Sequence, residues 1–225
     1  MHRRTRIKIC GLTREQDIDA AAEAGADAVG FVFYERSPRA ITVERAALLA
    51  RRLPPFVTPV GLFVNASAPQ VAAAVSSIPS LLLQFHGDET PDQCRAFARP
   101  YLRATQVAAG FDLVDFSLRY ADAQAVLLDA VVEGYGGGGK VFDWSLVQAL
   151  PRGAAHLPVV LSGGLSAANV MDGIAALRPS AVDVSSGVES SRGVKDANAI
   201  HRFCDAVRMA DARLALAPAA AQHAC

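Results

Sequence analysis

Apolar residues in this chain fall in short, nearly unbroken runs, each followed by a stretch with helical spacing, from one end to the other. The runs occupy residues 6–10, 28–33, 59–64, 81–85, 102–106, 125–129, 159–162 and 181–184. A strand with one wet face would alternate apolar and polar residues, so runs this continuous predict strands buried on both faces of a parallel sheet. Helix-start chemistry lies between them. Thr13-Arg14-Glu15-Gln16, Ser67-Ala68-Pro69-Gln70 and Thr90-Pro91-Asp92-Gln93 each fit S/T-x-x-E/Q, in which two side chains satisfy orphan N–H groups reciprocally. Pro91 sits at a first helical position, where no donor is needed. Asp143 and Ser166 predict N-caps for helices over 144–150 and 167–177. Further helices are expected over 42–52, 110–119 and 196–208.

Eight strands alternating with eight helices, without a break in composition or a linker, predict an α/β chain of right-handed βα units. Such a repeat can close into a barrel or stay open as a doubly wound sheet, and eight units in about 200 residues favour a single-domain (βα)8 barrel over residues 1–210. The Ala-rich end, residues 211–225, is expected to be a frayed, flexible tail. Hydrophobic residues make up 52% of the 225, enough to bury a sizeable core, and 22 Lys+Arg balance 22 Asp+Glu. A neutral chain offers no bulk electrostatic reason to expect a nucleic-acid partner or an anionic membrane. No apolar run approaches the roughly 18 residues of a membrane span. The basic start MHRRTRIKICGL lacks the apolar stretch of a signal peptide. Cys10, Cys94, Cys204 and Cys225 lie far apart, with neither disulfide nor zinc spacing, which fits a reducing cytosol. The expected class is a cytoplasmic enzyme.

In a (βα)8 barrel the chemistry gathers at the C-terminal ends of the strands. Two glycine signals stand there. Ser162-Gly163-Gly164 follows the seventh strand and Ser185-Ser186-Gly187 the eighth, the loops between which barrel enzymes often hold phosphate. Each alone could be a tight turn; on consecutive strands they point to an anion. Cys10 ends the first strand. A lone strand cysteine is commonly an inert small hydrophobe, but at the rim a thiolate could work. Asp129 ends the sixth strand and could cap a loop or serve chemistry; with Cys10 it could divide base and acid work across a substrate. Arg39, past the second strand, is either a solvated loop arginine or a bidentate ligand for a carboxylate. His86 and Gln84 end the fourth strand, as a loop cap or as substrate hydrogen-bonding groups. The stretch GYGGGGK at 134–140 imitates a nucleotide-binding P-loop, but Val141 replaces the hydroxyl that would hold magnesium. It reads better as a mobile loop over 134–139 that folds over a substrate beside Asp129.

KICGLT, GADAVGFVFY, SPRAIT, VGLFVN, LQFHGDE, LLD, YGGGGKVFDW, LSGGL and VDVSSGVE together resemble the phosphoribosylanthranilate isomerase family of tryptophan biosynthesis, TIM barrels, in register from about residue 6 to residue 205. The resemblance implies a cofactor-free, metal-free Amadori rearrangement of a small phosphosugar, N-(5-phosphoribosyl)anthranilate, by a monomer or homodimer. It implies Cys10 as general base and Asp129 as general acid. Arg39 would bind the anthranilate carboxylate, and Gly163, Gly164, Ser185, Ser186 and Gly187 the phosphate. Asp183, with Gln84 and His86, would contact substrate. Two other readings remain: a sister phosphosugar enzyme, such as the histidine-pathway isomerase or indoleglycerol-phosphate synthase, and a catalytically silent phosphate-binding barrel. Of the sister enzymes, the histidine-pathway isomerase uses Asp where Cys10 stands, and indoleglycerol-phosphate synthase needs a catalytic lysine in its barrel mouth.

Overall fold

The computed structural model describes residues 4–131, 142–147 and 157–216. Eight parallel strands close into a barrel in chain order. They are β1 (Arg6–Cys10), β2 (Ala28–Val32), β3 (Thr58–Phe63), β4 (Leu82–Phe85), β5 (Tyr101–Val107), β6 (Ala125–Ala130), β7 (Val159–Leu161) and β8 (Ala181–Val184), each within one residue of its expected bounds. The ring closes where β1 pairs with β8, from Arg6 opposite Ala181 to Ile9 opposite Val184. Around it run α1 (Glu15–Glu23), α2 (Val43–Ala50), α3 (Ala68–Ser77), α4 (Pro91–Arg95), α5 (Leu113–Arg119), α6 (Val170–Leu177) and α7 (Ala197–Leu216). Between β6 and β7 a 3-10 turn, Trp144–Leu146, opens on Asp143, whose carboxylate accepts from the Ser145 N–H at 2.9 Å. The rest of that expected helix, and the 134–139 loop, lie outside the described residues.

The caps at Ser67 and Thr90 form. Gln70 Oε1 turns back to the Ser67 N–H at 2.9 Å, and Gln93 Oε1 to the Thr90 N–H at 2.7 Å. The cap expected at Thr13 does not. α1 starts one residue later, behind Arg14, whose guanidinium instead holds the Asp17 carboxylate at 2.6 and 3.0 Å. Ser166 bonds Asn169 and Ala168 within a turn, and α6 begins only at Val170. α7 continues past residue 208 to Leu216, so residues 211–216, expected in the tail, are helical. Asp211 anchors them by accepting from the Thr5 N–H and hydroxyl at 2.8 and 2.7 Å, just before β1.

The barrel wall separates two apolar regions. Outward strand residues such as Ile7, Ile9, Val29, Phe31 and Leu128 pack under the helices. Inward residues Val60, Leu102, Ala104, Ala125, Leu127 and Val160 fill the barrel itself. Side chains alternate along a strand, so on β1 Ile7 and Ile9 face the helices while Lys8 and Cys10 face in. The same alternation turns Gln84, Asp129 and Asp183 inward. A polar layer therefore rests on an apolar plug. Among the described residues no helix is long and apolar enough to cross a membrane.

Candidate active site

Two clusters make up that layer. The first centres on Asp129. Its Oδ1 accepts from the Ala130 N–H at 2.8 Å, and its Oδ2 lies 3.2 Å from His86 Nε2. His86 Nδ1 lies 3.1 Å from the fully buried Gln84 Nε2. With the Gln84 amide donating to Nδ1, the neutral imidazole carries its proton on Nε2 and donates it to Asp129. Gln84 Oε1 is buried without a partner among the described residues.

The second cluster surrounds Cys10. Lys8 Nζ pairs with Asp183 Oδ1 at 2.9 Å inside the barrel. Arg39, buried, is gripped along one edge by a single carboxylate: Nε to Glu189 Oε1 at 2.7 Å and Nη2 to Glu189 Oε2 at 2.9 Å. Glu189 opens a small antiparallel hairpin, β9 (Glu189–Ser191) with β10 (Val194–Lys195), and Lys195 Nζ reaches Glu189 Oε1 at 2.7 Å and the Ser185 carbonyl at 2.9 Å. Burial pulls Lys195 below an ordinary lysine, against the opposing pull of Glu189. The carboxyl of Glu189 is lowered too, for a different reason: burial resists its charge, but Arg39 and Lys195 hold it below the usual range. The Arg39 stem crosses Gly11, where the backbone takes φ +77° and an added Cβ would lie 2.5 Å from Arg39 Cδ. Burial lifts the Cys10 thiol above its ordinary pKa, with Lys8 the strongest force pulling it down.

The glycine loops join the clusters. An added Cβ at Gly163 (φ +79°) would stand 2.7 Å from the Ala130 nitrogen and 3.0 Å from Asp129 Oδ1, so this glycine makes room for the carboxylate. Gly164 also has positive φ, +60°. Gly187 lies in the 3-10 turn Ser186–Val188, where a Cβ would collide with the Leu165 carbonyl at 1.8 Å. The loops after β7 and β8 therefore touch. The Ser185 hydroxyl donates to the Cys10 carbonyl at 3.1 Å, tying the eighth loop to the end of β1.

A mouth carrying an inward thiol, an inward carboxyl and two abutting glycine loops suits proton transfer on an anionic sugar. The comparisons with known proteins agree. The model of the N-(5'phosphoribosyl)anthranilate isomerase family matches residues 7–206. This chain belongs to that family. It is an isomerase of tryptophan biosynthesis. It is 70% identical over 212 residues to the N-(5'-phosphoribosyl)anthranilate isomerase of Methylibium petroleiphilum, covering 94% of this chain and 98% of that one. It is similar to the Thermotoga maritima phosphoribosyl anthranilate isomerase structure, with a TM-score of 0.82 and 42% identity over 91% of this chain and 99% of that one. A further phosphoribosyl anthranilate isomerase structure, in complex with reduced 1-(o-carboxyphenylamino)-1-deoxyribulose 5-phosphate, matches with TM-score 0.79 and 39% identity over 91% and 99% of the two chains.

The isomerase thus brings Cys10, Asp129, Gln84, His86, Asp183 and Arg39 to one end of its barrel, with Gly163, Gly164, Ser185, Ser186 and Gly187 in the loops beside them. Arg39 and Asp183 are already engaged, by Glu189 and Lys8, a feature absent from the sequence reading. Lys8, Glu189 and Lys195 have no role assigned from the sequence. Lys8 and Asp183 did leave a signal: each is a charge flanked on both sides by apolar residues of its strand, and a buried charge calls for a partner on a neighbouring strand.

Proposed function

We propose that this mouth rearranges N-(5-phosphoribosyl)anthranilate to 1-(2-carboxyphenylamino)-1-deoxyribulose 5-phosphate, with Asp129 as general acid and Cys10 as general base. The observation that carries the reading is the placement of these two buried, inward side chains at the ends of β6 and β1, above one apolar plug. Asp129 gives its proton to the furanose oxygen as the C1′–O bond breaks and the anthranilate nitrogen lone pair forms the iminium. The carboxylate left behind accepts two hydrogen bonds, from Ala130 N–H and His86, which stabilise it after the transfer. Cys10 as thiolate takes the C2′ proton, and the C–H electrons form the enolamine while neutralising the iminium. Tautomerisation gives the ketone. No cofactor is needed, because every step moves a proton between these residues and the substrate or an electron pair within the substrate.

Arg39, its Nε and Nη2 held by Glu189, presents the remaining Nη1 edge to the substrate carboxylate. The touching loops at 162–164 and 185–187 supply backbone N–H groups and hydroxyls for the phosphate, and Gln84, His86 and Asp183 line the space between. We place the enzyme in the cytoplasm, acting on this small molecule as a monomer or homodimer. The test is Cys10→Ala and Asp129→Ala in a fluorescence assay of phosphoribosylanthranilate consumption. Each should lower turnover by about 10²–10⁴-fold, the usual contribution of a positioned acid or base, with circular dichroism unchanged. Wild-type turnover in either variant would sink the assignment of that residue.

A further inference from the structure

β1 turns two successive side chains into the barrel, Lys8 and Cys10, and only the second has a part in the proposed chemistry. Lys8 and its partner Asp183, on adjacent β8, are buried to 5% and 6% side-chain exposure and lie 2.9 Å apart. A buried ion pair is a weak stabiliser, since well-packed apolar residues of the same volume do as well or better. Stability therefore does not account for two charges set beside an apolar plug. Their location does.

Gly30, on β2 beside β1, has no side chain where a Cβ would stand 2.7 Å from Cys10 Sγ and 3.2 Å from Lys8 Nζ. The thiol and the ammonium line the same small space that the glycine leaves open. The other charged groups acting on the thiol are Asp183 from β8, Lys195 from β10 and Arg39 from the loop after β2, with Glu189 of β9 paired to the last two. Lys8, Lys195 and Arg39 against Asp183 and Glu189 leave one positive charge in excess, and a thiolate at Cys10 completes a neutral set.

We propose that Lys8 is the counter-ion of the Cys10 thiolate and that Asp183 holds Lys8 in place and moderates its pull, so that this pair sets the pH at which Cys10 can act as a base. Lys8 and Asp183 are then positioning residues, acting through Cys10. Their electrostatic effects on the thiol have opposite signs, Lys8 lowering its pKa and Asp183 raising it, with Lys8 the stronger. The inference rests on Cys10 being the working base, so its test reads the thiol itself and turnover separately.

The full-length chain, Lys8→Met, Asp183→Asn and the double variant are alkylated with iodoacetamide across a pH series. Labelling of Cys10 is followed by peptide mass spectrometry, because the thiolate is the reacting form. Lys8→Met should raise the labelling midpoint by at least about one pH unit, about tenfold less thiolate at a given pH below it. Asp183→Asn should lower it. General loosening of the barrel cannot mimic opposite displacements, since exposure would move both toward an ordinary thiol. Lys8→Met leaves a buried carboxylate unpaired; if it does not fold, the double variant decides, with a midpoint above wild type expected. A midpoint in Lys8→Met, or in the double variant, at or below wild type overturns the proposal. The pH profile of kcat/KM should move with the labelling midpoint in Asp183→Asn. Labelling that shifts while the profile stays fixed would keep the counter-ion role and remove Cys10 from base duty.

Discussion

The two groups proposed to transfer protons stand near the C-terminal ends of different strands, and the protein surrounds them with different kinds of partner. Around Cys10 the neighbours are full charges: the Lys8–Asp183 pair below and the Arg39–Glu189–Lys195 chain beside it. Around Asp129 they are mainly neutral hydrogen-bonding groups, an amide N–H from Ala130 and a relay from Gln84 through His86. The difference follows from the chemistry of each group. A carboxyl that gives up its proton leaves a carboxylate, which donors aimed at its oxygens stabilise. A thiol buried in a barrel resists ionisation, and only nearby cations offset the loss of water. The cost is a cluster of buried charges that must stay paired.

That cost gives the sharpest way to break the comparison. Glu189→Ala leaves Arg39 and Lys195 buried without their shared carboxylate, and removing one member of a buried ion pair costs about 3–5 kcal/mol. Urea unfolding should show a loss of that size. A loss below about 1 kcal/mol would mean that water reaches the cluster and that the charges are not structurally coupled. Next in size, Arg39→Ala should weaken substrate recognition by about 2–5 kcal/mol, since the substrate carboxylate would be left without its buried partner. The measurement is KM and product inhibition. Values near wild type would reassign Arg39 from substrate ligand to a brace for the β9–β10 hairpin.

How much of this was readable beforehand follows from the physics of each element. The barrel was legible because strands buried on both faces write themselves as apolar runs, and all eight could be placed to within a residue at either end. The place of Cys10 and Asp129 at the barrel mouth was legible because they end two of those runs. The charge cluster was not. Glu189 sits three residues beyond Ser186 in a stretch whose serines and glycine point to phosphate, and nothing local in the sequence says that its carboxylate spans 150 positions back to Arg39. Lys8 and Asp183 were readable as misfits, but pairing them requires knowing that β1 closes on β8. Thr13 misled because a four-residue cap pattern ignores the Arg14–Asp17 contact that starts the helix one residue later.

Two smaller effects test the Asp129 side. Gly163, expected in the phosphate loop, also faces the acid side: a Cβ there would first meet Ala130 and the Asp129 carboxylate. Gly163→Ala combines a positive φ of +79° with a Cβ 2.7 Å from a backbone nitrogen. Overpacking of this kind costs about 1–3 kcal/mol. Turnover should fall further than phosphate affinity, because the substitution displaces the acid. If inorganic phosphate inhibition weakened while kcat held, Gly163 would belong to the anion site alone.

The smallest effect expected is at His86. His86→Leu removes one of two donors from a carboxylate that keeps the Ala130 N–H, and it strips Gln84 Nε2 of its acceptor. No buried cation loses its counter-charge, so the stability loss should stay within about 1–3 kcal/mol, the penalty for a buried polar group left without a partner. The kcat should drop because the carboxylate formed on proton delivery is less well stabilised, but by less than in Asp129→Ala. Urea midpoints and kcat for His86→Leu and Glu189→Ala, measured side by side, compare the two supports directly. If the histidine variant proved as unstable as the glutamate one, Asp129 would be held by charge as tightly as Cys10 is, and the contrast between a dipole-supported acid and a charge-supported base would fail.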